Sequence, residues 1–127
     1  MIAVINKTKR ILIVEDDQEM QQIYRDMFQD KQDRYEIEFG NNAALASRKL
    51  EEKTFDLIIL DIIMEPVPGD SLFVYIRKTK MITTPILVVS VLSPELLRNL
   101  KKINHVDFLK KPIKEEELFE RIEKMTA

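Results

Sequence analysis

The sequence predicts an α/β domain built on an open, doubly wound parallel sheet with helices on both faces. Short apolar runs alternate with segments whose apolar residues recur at helical spacing, and this βα pattern occurs five times. Continuous apolar strands that alternate with helices are typical of a parallel sheet buried on both faces. The chain has 127 residues, whereas a closed eight-stranded βα barrel needs about 250, so an open sheet is the better prediction.

The first two βα units are predicted around strands at residues 11–14 and 35–39. Residues 11–14 form an unbroken apolar run, as in a buried strand, whereas residues 35–39 alternate polar and apolar side chains like an edge strand. The helix after the first strand has apolar residues at helical spacing, namely Met20, Ile23, Tyr24, Met27 and Phe28. Residues 40–42 then turn the chain into an alanine-rich helix that we expect to end near Lys53.

The other three units complete the sheet. Their strands are predicted at residues 55–60, 85–89 and 106–109. Residues 66–69 break the chain before the third helix, which carries Leu72, Phe73 and Ile76. Ser93 is the expected N-cap of the fourth helix, with Pro94 at its first position. The fifth helix runs from Lys114 and directs four apolar side chains inward, namely Leu118, Phe119, Ile122 and Met125.

The composition limits the kinds of protein that the chain can be. Apolar residues make up 45% and charged residues 33%, which suits a buried core under a charged surface, and the net charge of −2 gives no general attraction to nucleic acid or anionic lipid. The absence of cysteine excludes disulfides and thiolate metal sites. Because the chain has neither a signal peptide nor an apolar run of about 18 residues, we expect a cytoplasmic protein without membrane contact. We expect a single domain over residues 1–127, with its core at about 10–125.

Polar side chains are predicted at the carboxyl ends of the strands. They are Glu15, Asp16 and Asp17 after the first strand, Asp61 at the end of the third, Ser90 at the end of the fourth and Lys111 just past the fifth. Parallel strands end at the same edge, where open α/β sheets bind their ligands. We therefore expect these side chains to share one crevice.

A divalent metal site follows from the crowding of these carboxylates. Mutual repulsion of acidic groups is relieved by a hard cation such as Mg²⁺ (or Mn²⁺), which prefers oxygen ligands and keeps open positions for substrate oxygens. We predict the carboxylates of Asp16 and Asp61 and the backbone carbonyl of Ile63 as ligands, with Glu15 bound through water.

Asp61 is the predicted nucleophile of the site. The chain has no cysteine and a single histidine, His105, so a carboxylate that forms an aspartyl phosphate is the plausible acceptor. Phosphoryl transfer needs alignment and neutralisation of the phosphoryl oxygens. The metal ion, the Lys111 ammonium and the Ser90 hydroxyl are expected to supply these contacts.

These motifs resemble those of the receiver domains of two-component response regulators. The sequence at residues 11–17 is similar to the acidic-pair strand of that family, and residues 55–64 are similar to its phosphoacceptor strand. Residues 85–90 resemble the strand with the switch hydroxyl, and residues 108–112 resemble the segment with the switch aromatic and the Lys-Pro pair. The resemblance covers the chain from Ile11 to about Met125.

The resemblance implies a flavodoxin-like (βα)5 three-layer sandwich with strand order 2-1-3-4-5. It also implies Mg²⁺-dependent phosphoryl transfer to Asp61 from a histidine kinase or phosphotransfer protein, followed by slow self-dephosphorylation rather than conventional enzymatic turnover. In this family pattern, Ser90 and Phe108 act as the switch that changes the face formed by helix 4, strand 5 and helix 5. The implied outputs are a partner protein, a fused output domain or a homodimer through that face, without direct contact to nucleic acid.

Two positions depart from the family pattern. Glu65 stands where the family usually has proline, and Val91 stands where it usually has alanine or glycine. Glu65 adds a carboxylate near the metal, and the bulk of Val91 is expected to hinder access of water and partners to the phosphoryl group.

Each site residue also has a purely structural interpretation. Asp16 or Asp17 can be a helix N-cap, Ser90 a turn hydroxyl, Lys111 a solvated lysine and Phe108 an ordinary core residue. His105 is expected at the surface near a turn. A solvated face is also expected for the basic cluster Lys101, Lys102, Lys110, Lys111 and Lys114.

Three other functions are compatible with parts of the pattern. Glu65 and Val91 allow a pseudo-receiver that acts only as an interaction module. A flavodoxin-like cofactor binder is disfavoured because three acids stand where a phosphate loop would be expected. A haloacid-dehalogenase-type hydrolase expects a second acid at the position of Ile63.

Overall fold

The chain forms a five-stranded parallel sheet in the order β2-β1-β3-β4-β5, which confirms the predicted α/β class and strand order. The computed structural model describes residues 8–61, 76–77, 82–91 and 105–127. The strands are β1 (Lys9–Val14), β2 (Tyr35–Gly40), β3 (Leu57–Asp61), β4 (Ile86–Ser90) and β5 (Val106–Lys110). The helices are α1 (Gln18–Phe28), a 3₁₀ turn at Gln29–Lys31, α2 (Ala43–Glu52) and α3 (Glu115–Met125).

The three described α-helices correspond to the first, second and fifth predicted helices. The predicted end of the second helix near Lys53 is confirmed, since Lys53 is its C-cap. The predicted N-cap at Ser93 and Pro94 lies outside the described residues, as does most of the third predicted helix. None of the helices within the described ranges is long and apolar enough to cross a membrane.

The start of β3 differs from its prediction. Phe55 is buried but precedes the strand, which begins at Leu57. The intervening Asp56 donates its backbone N–H to the Arg10 carbonyl at 2.8 Å, and its carboxylate accepts from the Arg10 N–H at 2.7 Å. These bonds join Asp56 to the start of β1, so the regular strand begins only after it.

Two apolar layers cover the two faces of the sheet. One layer includes α2 residues such as Ala46 and Leu50, packed with alternate strand residues such as Leu12 and Ile58. The opposite layer contains apolar residues of α1 and α3, including Tyr24 and Leu118. Because alternate side chains of each strand point to opposite faces, an unbroken apolar strand is needed to fill both layers.

The end of α3 is fixed at the amino edge of the sheet. The Glu123 carboxylate accepts hydrogen bonds from the Tyr35 hydroxyl and the Arg34 guanidinium, and it pairs with the Lys9 ammonium at 3.3 Å. Phe119 packs edge-on against Phe28, with 4.9 Å between ring centroids. These contacts lie at the edge of the sheet opposite to the predicted site.

Candidate functional site

Three carboxylates converge at the carboxyl edge of the sheet. Glu15 directly follows β1 and Asp61 ends β3, and these strands are neighbours because Val14 pairs with Leu60. Oxygens of Glu15, Asp16 and Asp61 lie within 4.8 Å of one another. Glu15 is 1% exposed and Asp61 is 8% exposed, whereas Asp16 faces solvent. The cluster is therefore buried at its base and open on one side.

Lys111 brings an ammonium group to this cluster. Its Nζ lies 3.3 Å from Asp61 Oδ2 and 3.8 Å from Glu15 Oε1. The backbone N–H of Lys111 donates to the Ser90 carbonyl at 3.1 Å, which extends the pairing of β4 and β5 past the end of the strand. The peptide bond between Lys111 and Pro112 is cis. Lys111 thus lies where it can neutralise charge on the Asp61 carboxylate.

Ser90 places a hydroxyl at the same edge. It follows Val89, which pairs with Asp61 across β3 and β4. Ser90 is 1% exposed, and its Oγ makes no hydrogen bond within the described part of the chain. A buried hydroxyl without a partner costs about 1–3 kcal/mol, so this arrangement suits a ligand oxygen that arrives at the site.

The electrostatics of the cluster favour a cation. The pKa of Glu15 is raised to about 8, first by burial and then by the hydrogen bond and negative charge of Asp61 and the charge of Asp16, while the Lys111 ammonium acts in the opposite direction. Glu15 Oε2 is buried without a hydrogen-bond partner among the described residues. Three convergent oxygens and an unpartnered carboxylate oxygen fit a hard divalent ion, which would favour the ionised form of Glu15.

The adjacent residues Asp16 and Asp17 have different surroundings in the structure. Asp17 is the N-cap of α1, because its Oδ1 accepts from the Glu19 N–H at 3.0 Å. Asp16 instead belongs to the carboxylate cluster. The predicted ligand Ile63 and the departure at Glu65 lie outside the described residues.

Phe108 is half-buried and packs against the apolar layer on the α2 face of the sheet. Its N–H donates to Asp107 Oδ1 at 2.8 Å, and its carbonyl accepts from Arg121 Nη1 at 2.7 Å. The backbone of the predicted switch aromatic is therefore connected to α3. This position is compatible with both the core and the switch interpretations.

Val91 lies beside the site and is 66% exposed. It lines an apolar groove of about 380 Å³ that also includes Ile23 and Lys111. The bulky side chain of Val91 therefore lies at the surface near Lys111, whose ammonium contacts Asp61.

The remaining predictions concern surface residues. His105 is exposed at the turn before β5, with a φ of 61°, in agreement with its predicted surface position. Lys110 and Lys114 are exposed, as a solvated face requires, whereas Lys101 and Lys102 lie outside the described residues.

Sequence reasoning missed Gln21. This side chain is 6% exposed, and its Nε2 donates to the Glu15 carbonyl at 2.7 Å and to Asn41 Oδ1 at 2.9 Å. Its spacing before Tyr24 and Phe28 places a polar residue on the inward face of α1. A polar residue at an inward position of the helix is the sequence signal that could have identified Gln21.

Comparisons with known proteins agree with this architecture. The family model of the response regulator receiver domain matches residues 11–123. The nisin biosynthesis regulatory protein of Lactococcus lactis subsp. lactis is 32% identical over 90% of this chain and 48% of its own length. The transcriptional regulatory protein CrdR of Helicobacter pylori is 27% identical over 91% of this chain and 54% of its own length. The chain thus spans about half the length of these curated relatives.

Solved structures give the same result. The signal receiver domain of a Luxo repressor protein from Vibrio parahaemolyticus has a TM-score of 0.85 and 26% identity, with 94% of this chain and 91% of that chain covered. The chemotaxis protein CheY4 of Vibrio cholerae has a TM-score of 0.83 and 26% identity, with 94% and 99% covered. The chain belongs to the response regulator receiver domains, which act in two-component phosphorelay signalling.

Proposed function

We propose that this receiver domain is a phosphate-operated switch in which Asp61 accepts a phosphoryl group from a histidine kinase or phosphotransfer protein. The observation that carries the proposal is the contact between Lys111 Nζ and Asp61 Oδ2 at 3.3 Å, within the carboxylate cluster. The proposed ligands of Mg²⁺ or Mn²⁺ are the carboxylates of Asp16 and Asp61, the backbone carbonyl of Ile63 and, through water, Glu15.

In the proposed reaction, an oxygen of Asp61 attacks the phosphorus atom of a phosphohistidine. An O–P bond forms, the N–P bond breaks, and the departing imidazole nitrogen takes a proton from solvent. Lys111 stabilises the ionised carboxylate before transfer, and its ammonium then lies near the phosphoryl oxygens. The Ser90 hydroxyl donates to one of these oxygens. A bound divalent cation supplies further charge neutralisation for the phosphoryl group.

The proposed switch begins at Ser90. Phosphorylation adds about −1.5 to −2 charge at the edge of the sheet, and the Ser90 hydroxyl, which has no partner among the described residues, turns toward it. Phe108 then moves further inward, which changes the surface formed by β5, α3 and the fourth predicted helix. Phosphorylation biases an equilibrium between two states that both exist beforehand.

The proposed recipients of this change are a partner protein, a fused output domain or a second copy of the chain that binds through the same surface. Receiver domains work with histidine kinases and output domains, and the relatives described above are about twice as long as this chain. A net charge of −2 gives the domain itself no general attraction to nucleic acid.

Beryllofluoride with Mg²⁺ tests the proposed switch, because this anion mimics a phosphoryl group on an aspartate. We expect the amide NMR signal of Ser90 and the ring signals of Phe108 to shift in the wild-type protein and not in Asp61→Asn. Asp17→Asn is the matched control, because asparagine retains the N-cap and Asp17 lies outside the carboxylate cluster. A wild-type spectrum that beryllofluoride leaves unchanged would count against the proposal.

A further inference from the structure

Gln21 stands out among the buried polar side chains. The described residues include four buried polar or charged side chains, and three of them, Glu15, Asp61 and Ser90, belong to the candidate site. The fourth is Gln21, which lies in the first part of α1 and has no role in the proposed chemistry. Its position therefore requires a separate explanation.

Gln21 holds both ends of the acidic turn. Its side-chain Nε2 donates to the Glu15 carbonyl at 2.7 Å, and its backbone N–H donates to the Asp17 carbonyl at 3.0 Å. These carbonyls belong to the two residues on either side of Asp16. One residue thus restrains the backbone from which the exposed metal ligand projects.

The same side chain connects this turn to the loop after β2. Its second N–H donates to Asn41 Oδ1 at 2.9 Å, and the neighbouring Asn42 caps α2 through a hydrogen bond from the Leu45 N–H at 2.8 Å. The Glu15 N–H donates to the Gly40 carbonyl at 3.2 Å. The Glu15 N–H therefore attaches the acidic turn to the end of β2, and the Glu15 carbonyl is connected to the β2–α2 loop through the Gln21 amide.

We propose that Gln21 is a positioning residue that preorganises Glu15 and Asp16 for a divalent cation. When Glu15 and Asp16 are ionised, as a cation requires, their carboxylates repel Asp61, and a restrained backbone keeps these groups from moving apart. A neutral amide suits this task, because it supplies two donors without adding a charge that would compete with the cation. This inference rests on the proposed metal site.

Direct binding of Mn²⁺ tests this role. The free ion can be counted by its electron paramagnetic resonance signal in titrations of the unphosphorylated protein, without any measurement of activity. Gln21→Met retains the length of the side chain but removes its hydrogen-bond donors. We expect it to weaken Mn²⁺ binding about tenfold, as is typical when a residue that hydrogen-bonds to a metal ligand is replaced. Gln22→Met is the matched control, because Gln22 is exposed and its hydrogen bond within the described ranges is a local one to Asp26.

Urea unfolding separates positioning from simple stabilisation. A purely structural role would lower the stability of Gln21→Met and leave the Mn²⁺ dissociation constant of the folded protein unchanged. That result would overturn the inference. Failure of the wild-type protein to bind Mn²⁺ would overturn the proposed metal site as well.

Asn41→Ala provides a second test if Gln21→Met does not fold. It removes one of the two hydrogen bonds of the Gln21 amide from an exposed position, so we expect about threefold weaker Mn²⁺ binding. If Gln21→Met does fold, its effect on Mn²⁺ binding and that of Asn41→Ala should not add in a double-mutant cycle, because both act through one chain of hydrogen bonds. Wild-type affinity in Asn41→Ala would contradict the proposed chain.

Discussion

At the scale of single residues, the protonation of the buried Glu15 carboxyl sets the charge of the site. Its pKa of about 8 results first from burial and then from its hydrogen bond and repulsion with Asp61, with Lys111 acting in the opposite direction. At neutral pH the metal-free protein therefore holds a proton at Glu15. Binding of a cation would release that proton, so metal affinity should increase as the pH rises.

We predict that Glu15→Gln stabilises the metal-free protein at high pH. The folded pKa of Glu15 is about 8 and the ordinary value is 4.5, so between these values the folded state binds a proton that the unfolded state lacks. The stability of wild type should therefore fall as pH rises through this window, whereas glutamine carries no charge to bury. We expect the variant to be more stable by at least about 1 kcal/mol at about pH 9.

Urea unfolding in a chelator at about pH 6 and about pH 9 measures this difference. Glu19→Gln is the control, because it removes an exposed acid near the same end of α1 that lies outside the carboxylate cluster. A wild-type stability that increases between the two pH values would contradict the assigned protonation of Glu15.

At the scale of helices and strands, β2 and α2 approach each other very closely where they join. Gly40 ends β2, and its backbone lies against Ala46 of α2. A Cβ at position 40 would lie 2.8 Å from Ala46 Cβ and 2.9 Å from Ala46 Cα, which is too close for ordinary contact. The Gly40 carbonyl also accepts from the Glu15 N–H, so this packing supports the acidic turn.

We predict that Gly40→Ala lowers the free energy of unfolding by about 1–3 kcal/mol, because the added methyl group pushes α2 away from the sheet. Urea unfolding measures the loss. Combining Gly40→Ala with Ala46→Gly should not restore the stability, since the Cα of residue 46, 2.9 Å from the added methyl group, remains and glycine is unfavourable inside a helix. An unchanged free energy of unfolding in Gly40→Ala would contradict this prediction, because it would show that α2 can move away at no energetic cost.

Periodicity predicted the type of each described strand and α-helix, but neither the 3₁₀ turn at Gln29–Lys31 nor all of the side-chain contacts. The apolar spacing of α1 is real, yet Ile23 is 42% exposed and lines the groove beside Val91, because it lies at the margin of the inward stripe. Gln21 is buried on that stripe, where the pattern leads one to expect an apolar residue. A side chain that serves a local hydrogen-bond requirement is not visible in a pattern that scores only hydrophobicity.

At the scale of the whole molecule, the parallel sheet brings the residues of the site together. Residues that are distant in sequence, such as Glu15, Asp61 and Lys111, meet because the strands that carry them end at one edge. That edge could be predicted from the order of the apolar runs. The 3.8 Å approach of Lys111 to Glu15 could not, because it depends on side-chain directions and burial that appear only in the folded chain.

The most direct evidence for a phosphate-operated switch would be the phosphorylation of Asp61 itself. The protein is incubated with acetyl phosphate and Mg²⁺, its intact mass is measured, and the acyl phosphate is trapped with borohydride before peptide mapping. We predict that wild type and Asp17→Asn gain one phosphoryl group at Asp61, whereas Asp61→Asn gains none. No gain in the wild-type protein, or an equal gain in Asp61→Asn, would contradict the assignment of Asp61 as the phosphoacceptor.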